Sequence, residues 1–476
     1  MFTIFDDELD ALARRSVTQQ REFHGGQWSG ERLPAHQLQN LREGLRYVRS
    51  RSPFYAERLA GLAESRIDRL EAADFARAVP FTTKQDLRDR RHDLLSKPVS
   101  ESWVFYETTG TTGPTTPCPR DNTDSIVNNA ALTVAYQEIF DKHGDDHVVA
   151  VLGPTELHST GDTFGDVCRN LGHAVVKMWP HSPVVGFDRA LQMLRELHVT
   201  AIFCTPGMAM TLAKEARKAG LDPATDFDLR LLMFVGELVT PKLLDNLGAV
   251  WNAEAYSCMY ASQEASILGV AHADGRLRTV PLNVYYEVID PDTGAVVDPD
   301  AQQVREGELV ITHLYQGAKP LVRYRTGDLV RLEPTGPAES YPSEILTPLG
   351  RVRDRIDLNG RAVTAYELED FVLSRVQGCR DYHITIDRVS GVDVLAVDLE
   401  MPAPDEEIHK EIHEALIAAT ADNWGCPVSV RTTQLGAITT TGAMVSWKAA
   451  RVRDLRTAVD AEHEAAMAIA RKRDAR

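Results

Sequence analysis

The spacing of apolar residues changes twice along the chain. In AHQLQNLREGLRYVRSRSPFYAERL they recur at three- and four-residue steps with Arg and Glu between them, so residues 1–100 are expected to be rich in amphipathic helices. TKQDLRDRRHDL continues that pattern, with Thr82 or Thr83 placed to cap a helix N-terminus. From about 145 the period changes. HVVAVLG (147–153), HAVVKMW (173–179), TAIFCTP (200–206) and RLLMFVG (230–236) are short continuous apolar runs rich in Val, Ile and Phe. Helical patterns such as FDRALQMLRELH and MAMTLAKEARKAG separate them. Strands apolar on both faces that alternate with helices predict βαβ units and a parallel sheet. Ligands on such sheets gather at the carboxyl ends of the strands.

Near 280 the pattern changes again. NVYYEVID, GELVITHL and DLVRLE alternate with turns (DPDTG, TGPAES), which predicts a smaller β subdomain. After GRVRDR (350–355), YHITIDRV, VDVLAVDLE and PVSVRTT read as strands and EEIHKEIHEALIAATADNW as an amphipathic helix, a unit of about 120 residues with α+β character. The expected fold class is α/β, with a large domain over 1–350 and a small C-terminal domain over 351–476. The end, EHEAAMAIARKRDAR, reads as a charged, solvated helix.

Length adds that 476 residues exceed one ordinary domain. With 43% hydrophobic and 25% charged residues the chain is globular in composition. A net charge of −17 argues against a nucleic-acid partner, which needs a basic face, yet leaves room for one nucleotide held by backbone N–H groups. The six cysteines (Cys118, Cys168, Cys204, Cys258, Cys379, Cys426) show no CxxC pair, and most lie in or beside apolar runs; neither disulfides nor a zinc site is expected. The start, MFTIFDDELDALARR, lacks a signal-peptide core, and no run approaches the roughly 18 apolar residues of a membrane span, so a cytoplasmic protein without a membrane partner is expected.

Three stretches carry candidate chemistry. Thr108-Thr109-Gly110-Thr111-Thr112-Gly113-Pro114-Thr115 follows the extended run WVFYE and can offer N–H and O–H donors to phosphate oxygens, with Gly allowing close approach. On its own it is equally well a plain polar loop, and it is not a Walker loop, because no Gly-Lys-Ser/Thr follows. Arg323-Tyr324-Arg325-Thr326-Gly327-Asp328 places a carboxylate able to accept both hydroxyls of a ribose beside arginines that can hold phosphate or orient it, although alone it reads more readily as a strand-end turn with surface charges. Lys448, in TTGAMVSWK, is by itself an ordinary surface lysine.

Taken in order, these stretches resemble the adenylate-forming superfamily of acyl-CoA synthetases, in its phenylacetate–CoA ligase branch. The phosphate loop of that branch, S-S-G-T-T-G-K-P-T, is matched by Thr108 to Thr115. Tyr260-Ala261-Ser262-Gln263-Glu264 is similar to its Tyr-Gly-x-Ser/Thr-Glu motif. Residues 318–328 (AKPLVRYRTGD) and 286–291 (YEVIDP) are close to its wording. Gly350-Arg351-Val352-Arg353-Asp354 resembles the interdomain hinge, and Lys448-Ala449-Ala450-Arg451-Val452 the segment of the catalytic lysine. The match runs from about residue 40 to 460, and its consistent order is more specific than any single motif.

The resemblance implies ATP and Mg2+ as cofactors, CoA as a further substrate, a small acid as partner, and allows a homodimer. It implies that 108–113 hold the β- and γ-phosphates, Gly236 and Glu237 border the adenine, and Tyr260 stacks on it. Ala261, Ser262 and Gln263 would line the same nucleotide site. Glu264 would ligate Mg2+, Asp328 and Arg351 would bind ribose, and Lys448 would swing in to bridge the acid's carboxylate and the α-phosphate as the small domain moves. A cation delivered by closure stabilises charge on the transferring oxygens without a protein nucleophile.

Four departures stand out: Pro114 at the phosphate-loop lysine, Gln263 and Ala261 within the Tyr-Gly-x-Thr-Glu motif, Arg353 in the hinge, and Trp447 before the lysine. The loop Asp357-Leu358-Asn359-Gly360, expected to line a pantetheine tunnel, also lacks the branch's wording. Where relatives carry the aromatic Y-G-L-F-T-G-G, this chain has Glu156-Leu157-His158-Ser159-Thr160-Gly161-Asp162. Polar groups are costly to bury unless paired. His158, Ser159 and Asp162, with Thr205 and Pro206, are therefore expected to form the pocket of an aryl acid bearing hydroxyl or amino groups, unless His158 and Asp162 face solvent or pair with each other. The acceptor stays open between CoA, an amine, a carrier-protein thiol and nitrite chemistry that turns an aryl amine into a diazonium. A non-catalytic nucleotide-binding relative is the remaining alternative, disfavoured by the retention of Lys448, Asp328 and Glu264.

Overall fold

The computed structural model describes residues 5–28, 30–108, 115–336, 342–376, 378–401, 406–434, 437–438 and 451–456. The chain forms two compact units, each assembled from separated stretches. The first comprises Met1–Asp145, Thr155–His173 and Cys258–Pro348. The second comprises Asp146–Pro154, Ala174–Ser257 and Leu349–Arg476, so the parallel sheet groups with the C-terminal residues.

The first unit opens with the helices Asp7–His24 and Arg32–Arg51. The helix Asn122–Asp141 starts on a reciprocal cap between Asp121 and Asp124 and buries residues on every face, among them Ile126, Leu132, Tyr136 and Phe140. A helix without a polar stripe belongs in a core. The cap of Lys84–Arg90 is Thr83, bonded reciprocally with Asp86. Thr82 is instead buried and donates to the Val322 carbonyl (2.8 Å).

The strands Val104–Glu107 and Pro117–Arg120 pair antiparallel with Glu107 opposite Pro117. Two bonds close the neck of the connecting loop: Thr108 N–H to the Thr116 carbonyl (3.2 Å) and Thr116 N–H to Thr108 Oγ1 (2.9 Å). Thr108, where the expected phosphate loop begins, is thus held against Thr116; residues 109–114 lie outside the described residues. A seven-stranded sheet runs in the order Val284–Ile289, Arg305–His313, Tyr324–Pro334, Glu344–Arg351, Leu277–Arg278, Ser266–Ala271, Met259–Ser262. Its edge strand Met259–Ser262 carries a bulge between Tyr260 and Ala261, a distortion that re-aims side chains.

In the second unit, the four apolar runs form the strands Val148–Val151, Ala174–Lys177, Ala201–Cys204 and Leu231–Phe234, joined by a fifth, Glu254–Ser257. All pairs are parallel, and Val148–Val151 lies between Ala174–Lys177 and Ala201–Cys204. This is the doubly wound order 2-1-3-4-5. The helices Pro206–Lys218 and Pro241–Trp251 each begin with Pro in the first turn behind a threonine cap, Thr205 or Thr240. The C-terminal stretch forms a sheet in the order Val428–Thr433, Val392–Glu400, Asp381–Val389, Val452–Asp454, with the helices Ala365–Leu373 and Glu406–Trp424. Asp357 to Gly360 belongs to a tight hairpin whose Asn359 (φ 52°) and Gly360 (φ 85°) take the left-handed geometry of a type I′ turn. All six cysteines are free and buried. Among the described residues, no helix is long and apolar enough to cross a membrane.

Candidate active site

In the first unit the predicted residues converge on the end of the bulged edge strand. Glu264 follows that strand and is buried. Its Oε1 accepts a hydrogen bond from the Tyr324 hydroxyl (3.1 Å) and lies 3.1 Å from Lys84 Nζ. Burial alone would raise this carboxyl. The Lys84 ammonium, its own backbone N–H and Lys319 outweigh that effect and hold it at about 2. Glu264 is therefore an anionic hard-oxygen donor at neutral pH. That fits Mg2+, which is commonly held by one or two carboxylates together with substrate phosphates. Among the described residues no group of three or more acidic, His or Cys side chains converges on a metal position, so a cation here would rest on Glu264 and the substrate.

The Tyr260 hydroxyl donates to Asp328 Oδ2 (2.7 Å). Burial, and then the Asp328 charge, push the phenol far above its ordinary range, so it acts only in its protonated form. Thr326 Oγ1 accepts from the Asp328 N–H (3.1 Å). Ser262 Oγ accepts from the Ala265 N–H (3.1 Å) and shapes the turn carrying Gln263 and Glu264. Ser159 Oγ donates to Gln263 Oε1 (3.1 Å), and Gln263 Nε2 is buried with no partner among the described residues. Asp162 Oδ2 accepts from the Tyr106 hydroxyl (2.9 Å), and His158 Nδ1 is 2.8 Å from Thr160 Oγ1.

The arginines of the Arg323–Asp328 run, which could have held phosphate or oriented the Asp328 carboxylate, are each engaged by a glutamate. Arg323 is buried and forks onto both oxygens of Glu287 (2.9 and 3.0 Å). Its Nη1 donates to the Ala76 and Val79 carbonyls (2.6 Å each), and its plane lies 4.1 Å from the Phe81 ring centroid. Arg325 pairs with Glu308 and donates to the Pro291 carbonyl. A planar fork satisfied by a carboxylate and carbonyls is a structural clamp.

In the second unit, Gly236 (φ 86°) follows the strand Leu231–Phe234. The neighbouring Glu237 is half-buried with its side chain turned away from solvent; its Oε2 accepts from the Gly207 N–H (3.3 Å) and Arg451 Nη1 (3.0 Å), while Oε1 has no partner among the described residues. Burial disfavours the Arg451 charge, but Glu237, Tyr382, Asp381 and Glu369 together raise its pKa above the ordinary value. Thr205 Oγ1 is engaged as a helix cap, accepting from the Met208 N–H (3.0 Å), with Pro206 in the first turn. Arg351 ends the strand Glu344–Arg351, next to Gly350 (φ 130°). Lys448 lies outside the described residues.

Sequence patterns alone did not single out Lys84, Tyr324, Tyr106 or Lys319. Lys84 reads as the first residue after a helix cap, and Tyr324 is hidden inside the Arg-Tyr-Arg run. Only their contacts bring them to Glu264 or to the residues beside it.

The family model for AMP-binding enzymes matches residues 59–315, more than half of the chain. The chain is 30% identical to the phenylacetate–coenzyme A ligase of Pseudomonas putida, over 79% of this chain and 83% of that protein. It is 28% identical to the enzyme of the same name from Thermus thermophilus, over 79% and 82% respectively. Among solved structures, 2-hydroxyisobutyryl-CoA ligase in the postadenylation state with 2-HIB-AMP matches with a TM-score of 0.73 at 22% identity, covering 94% of this chain and 93% of that one. That likeness shows the shared fold. With an AMP-binding family model over residues 59–315 and relatives across most of its length, the chain belongs to the AMP-binding, adenylate-forming enzymes of the phenylacetate–CoA-ligase-like family, and is an ATP-dependent ligase.

Proposed function

We propose that this ligase activates a small aromatic acid bearing hydroxyl or amino substituents and passes its acyl group to CoA. The observation that carries the substrate class is the set of bonded polar side chains in the first unit: Tyr106 with Asp162, Ser159 with Gln263, and the unsatisfied Gln263 Nε2. A buried donor without a partner is costly unless a ligand completes it. A purely hydrocarbon acid would leave Gln263 Nε2 unmatched. The names of the curated relatives, phenylacetate–CoA ligases, support CoA as the acceptor.

In the first half-reaction a carboxylate oxygen of the acid attacks the α-phosphorus of ATP. The bond from that phosphorus to the bridging oxygen breaks, and its electron pair leaves with pyrophosphate. The CoA thiolate then attacks the acyl carbon and AMP departs. Tyr260 offers its face to the adenine, Asp328 accepts from the ribose hydroxyls, and Glu264 holds Mg2+, which neutralises phosphate charge when bound. Residues 351–476 act as the lid that carries Lys448 toward the transferring oxygens. Positioning and fixed charge supply the catalysis.

A pyrophosphate-release screen tests the assignment. Benzoates with and without hydroxyl and amino groups, phenylacetate and nitrite are each supplied with ATP and Mg2+, with and without CoA. Substituted aryl acids should trigger release and give a CoA thioester by mass spectrometry. Release with nitrite alone, or an adenylate consumed by an amine and not by CoA, would replace the proposed acid or acceptor. No release with any acid would remove the activity itself.

A further inference from the structure

We propose that Gln263 reads the acid through a hydrogen bond to an oxygen acceptor on its ring, a hydroxyl, ether or carbonyl and not an amino group, and that Ser159 orients it for this; the inference rests on the acid-activation reading above. A helix cap is left unused at Ser159. It stands at the N-cap of the helix Thr160–Asn170, where a serine ordinarily turns its hydroxyl onto the first N–H groups of the helix. It makes no such bond here. The Thr160 N–H donates instead to His158 Nδ1 (3.3 Å). The Ser159 hydroxyl is directed to Gln263 Oε1 (3.1 Å), 104 residues along the chain.

Gln263 is itself held in place. It opens the loop Gln263–Ala265 between the paired Ser262 and Ser266, and the Ala265 N–H donates to Ser262 Oγ (3.1 Å) to fix that turn. The next side chain, Glu264, is bonded elsewhere, to Tyr324 and Lys84. A carboxamide carries one acceptor oxygen and two N–H donors. With the oxygen occupied by the Ser159 hydroxyl, the amide has only N–H left to offer. Its Nε2 is shielded from solvent and has no partner among the described residues. A buried donor in that condition is costly until something accepts from it.

The polarity of the substituent follows. A phenolic, ether or carbonyl oxygen has lone pairs for the N–H. The nitrogen of an aryl amine gives its lone pair to the ring, accepts poorly and sets its own N–H groups against those of Nε2. An oxygen therefore completes the amide, and an amino group leaves it unpaired. Sites that hydrogen-bond a substrate group reject analogues lacking it far more strongly than apolar pockets reject a change of size. Ser159 is the positioning residue. By occupying Oε1 it keeps the amide from turning over to present its oxygen to an amine.

The test is the ratio of kcat/KM for hydroxybenzoates and aminobenzoates matched at each ring position, with benzoate as reference, read as pyrophosphate release. At the position that Gln263 reads, the parent should favour hydroxyl over amino by about tenfold to a hundredfold. Gln263→Met keeps the length of the side chain and removes the donor, so the hydroxybenzoate-to-benzoate ratio should fall at least about tenfold. Ser159→Ala frees the amide to turn, and the hydroxyl-to-amino ratio should move at least about fivefold toward one. A merely structural loss at either position would lower all acids together and leave the ratios in place. Ratios unchanged in both variants, or a parent that favours amino over hydroxyl at every position, overturn the proposal. A parent that releases pyrophosphate with benzoate or phenylacetate but with no substituted acid instead removes the substrate reading beneath it.

Discussion

Replacing Arg323 with lysine keeps the positive charge but removes the fork through which the structure uses it. Arg323 spreads four contacts over three nitrogens: two to Glu287 and one each to the Ala76 and Val79 carbonyls. A lysine has one nitrogen and cannot reach both groups, so about two charge-assisted bonds are lost, each worth roughly 1.5–3 kcal/mol. The cost comes to about 3–6 kcal/mol, similar to that of breaking a buried ion pair. For a domain of this size that corresponds to a fall in Tm of about 6–24 °C, at about 2–4 °C per kcal/mol. Arg323→Met should cost at least as much, because Glu287, already pushed upward by burial, loses its cation. The Glu287→Gln, Arg323→Met double variant should lose less than the two single losses added, since one interaction underlies both. Scanning calorimetry measures the stability, and pyrophosphate release well below the lowered Tm measures function. There, the ATP KM of Arg323→Lys should stay within about threefold of the parent. If that variant melts with the parent and its ATP KM rises about tenfold, Arg323 holds phosphate and the structural assignment is wrong.

Three further outcomes follow from the described contacts. Tyr260→Phe removes the 2.7 Å donor to Asp328 and should weaken ATP binding about fivefold to tenfold by titration calorimetry, with little change in Tm. Glu264→Gln should reduce Mg2+-dependent pyrophosphate release by at least about a hundredfold. Because the folded carboxyl sits at about 2, below its ordinary 4.5, its stabilising contribution is complete above about 4.5 and is lost as pH falls toward 2; no acid limb between pH 5 and 8 should trace to it. The stacked rings of His24 and His272 titrate at about 4 and about 3, chiefly because burial disfavours their charge. Unfolding frees them to bind protons near 6.5, so stability falls as pH drops below that value, by about 2 kcal/mol for His24 at pH 5. His24→Phe should therefore lose less Tm between pH 7 and pH 5 than the parent; an equal loss would show that this pair does not govern acid sensitivity.

The parallel sheet was legible because burial on both faces writes itself as continuous apolar runs. Val148–Val151, Ala201–Cys204 and Leu231–Phe234 all fall inside the runs that predicted them. Glu254–Ser257 did not stand out, since Glu-Ala-Tyr-Ser at the sheet edge has no such run. Glu264, Tyr260 and Asp328 were singled out by resemblance, and the contacts of Tyr260 with Asp328 and of Ser159 with Gln263 tie that motif to partners far along the chain. Charge was the misleading signal. Arg323 and Arg325 look like ligand-binding cations in a linear string, yet strand pairing sets Ile311 beside Tyr324 and Val310 beside Arg325, and the Glu287 and Glu308 carboxylates take both guanidinium groups. Lys319 is the converse case. Nothing in Ala-Lys-Pro marks it, yet packing buries its ammonium against a carbonyl and a thiol. A charge's role is decided by what neutralises it in three dimensions. That is why the paired arginines are assigned to the fold.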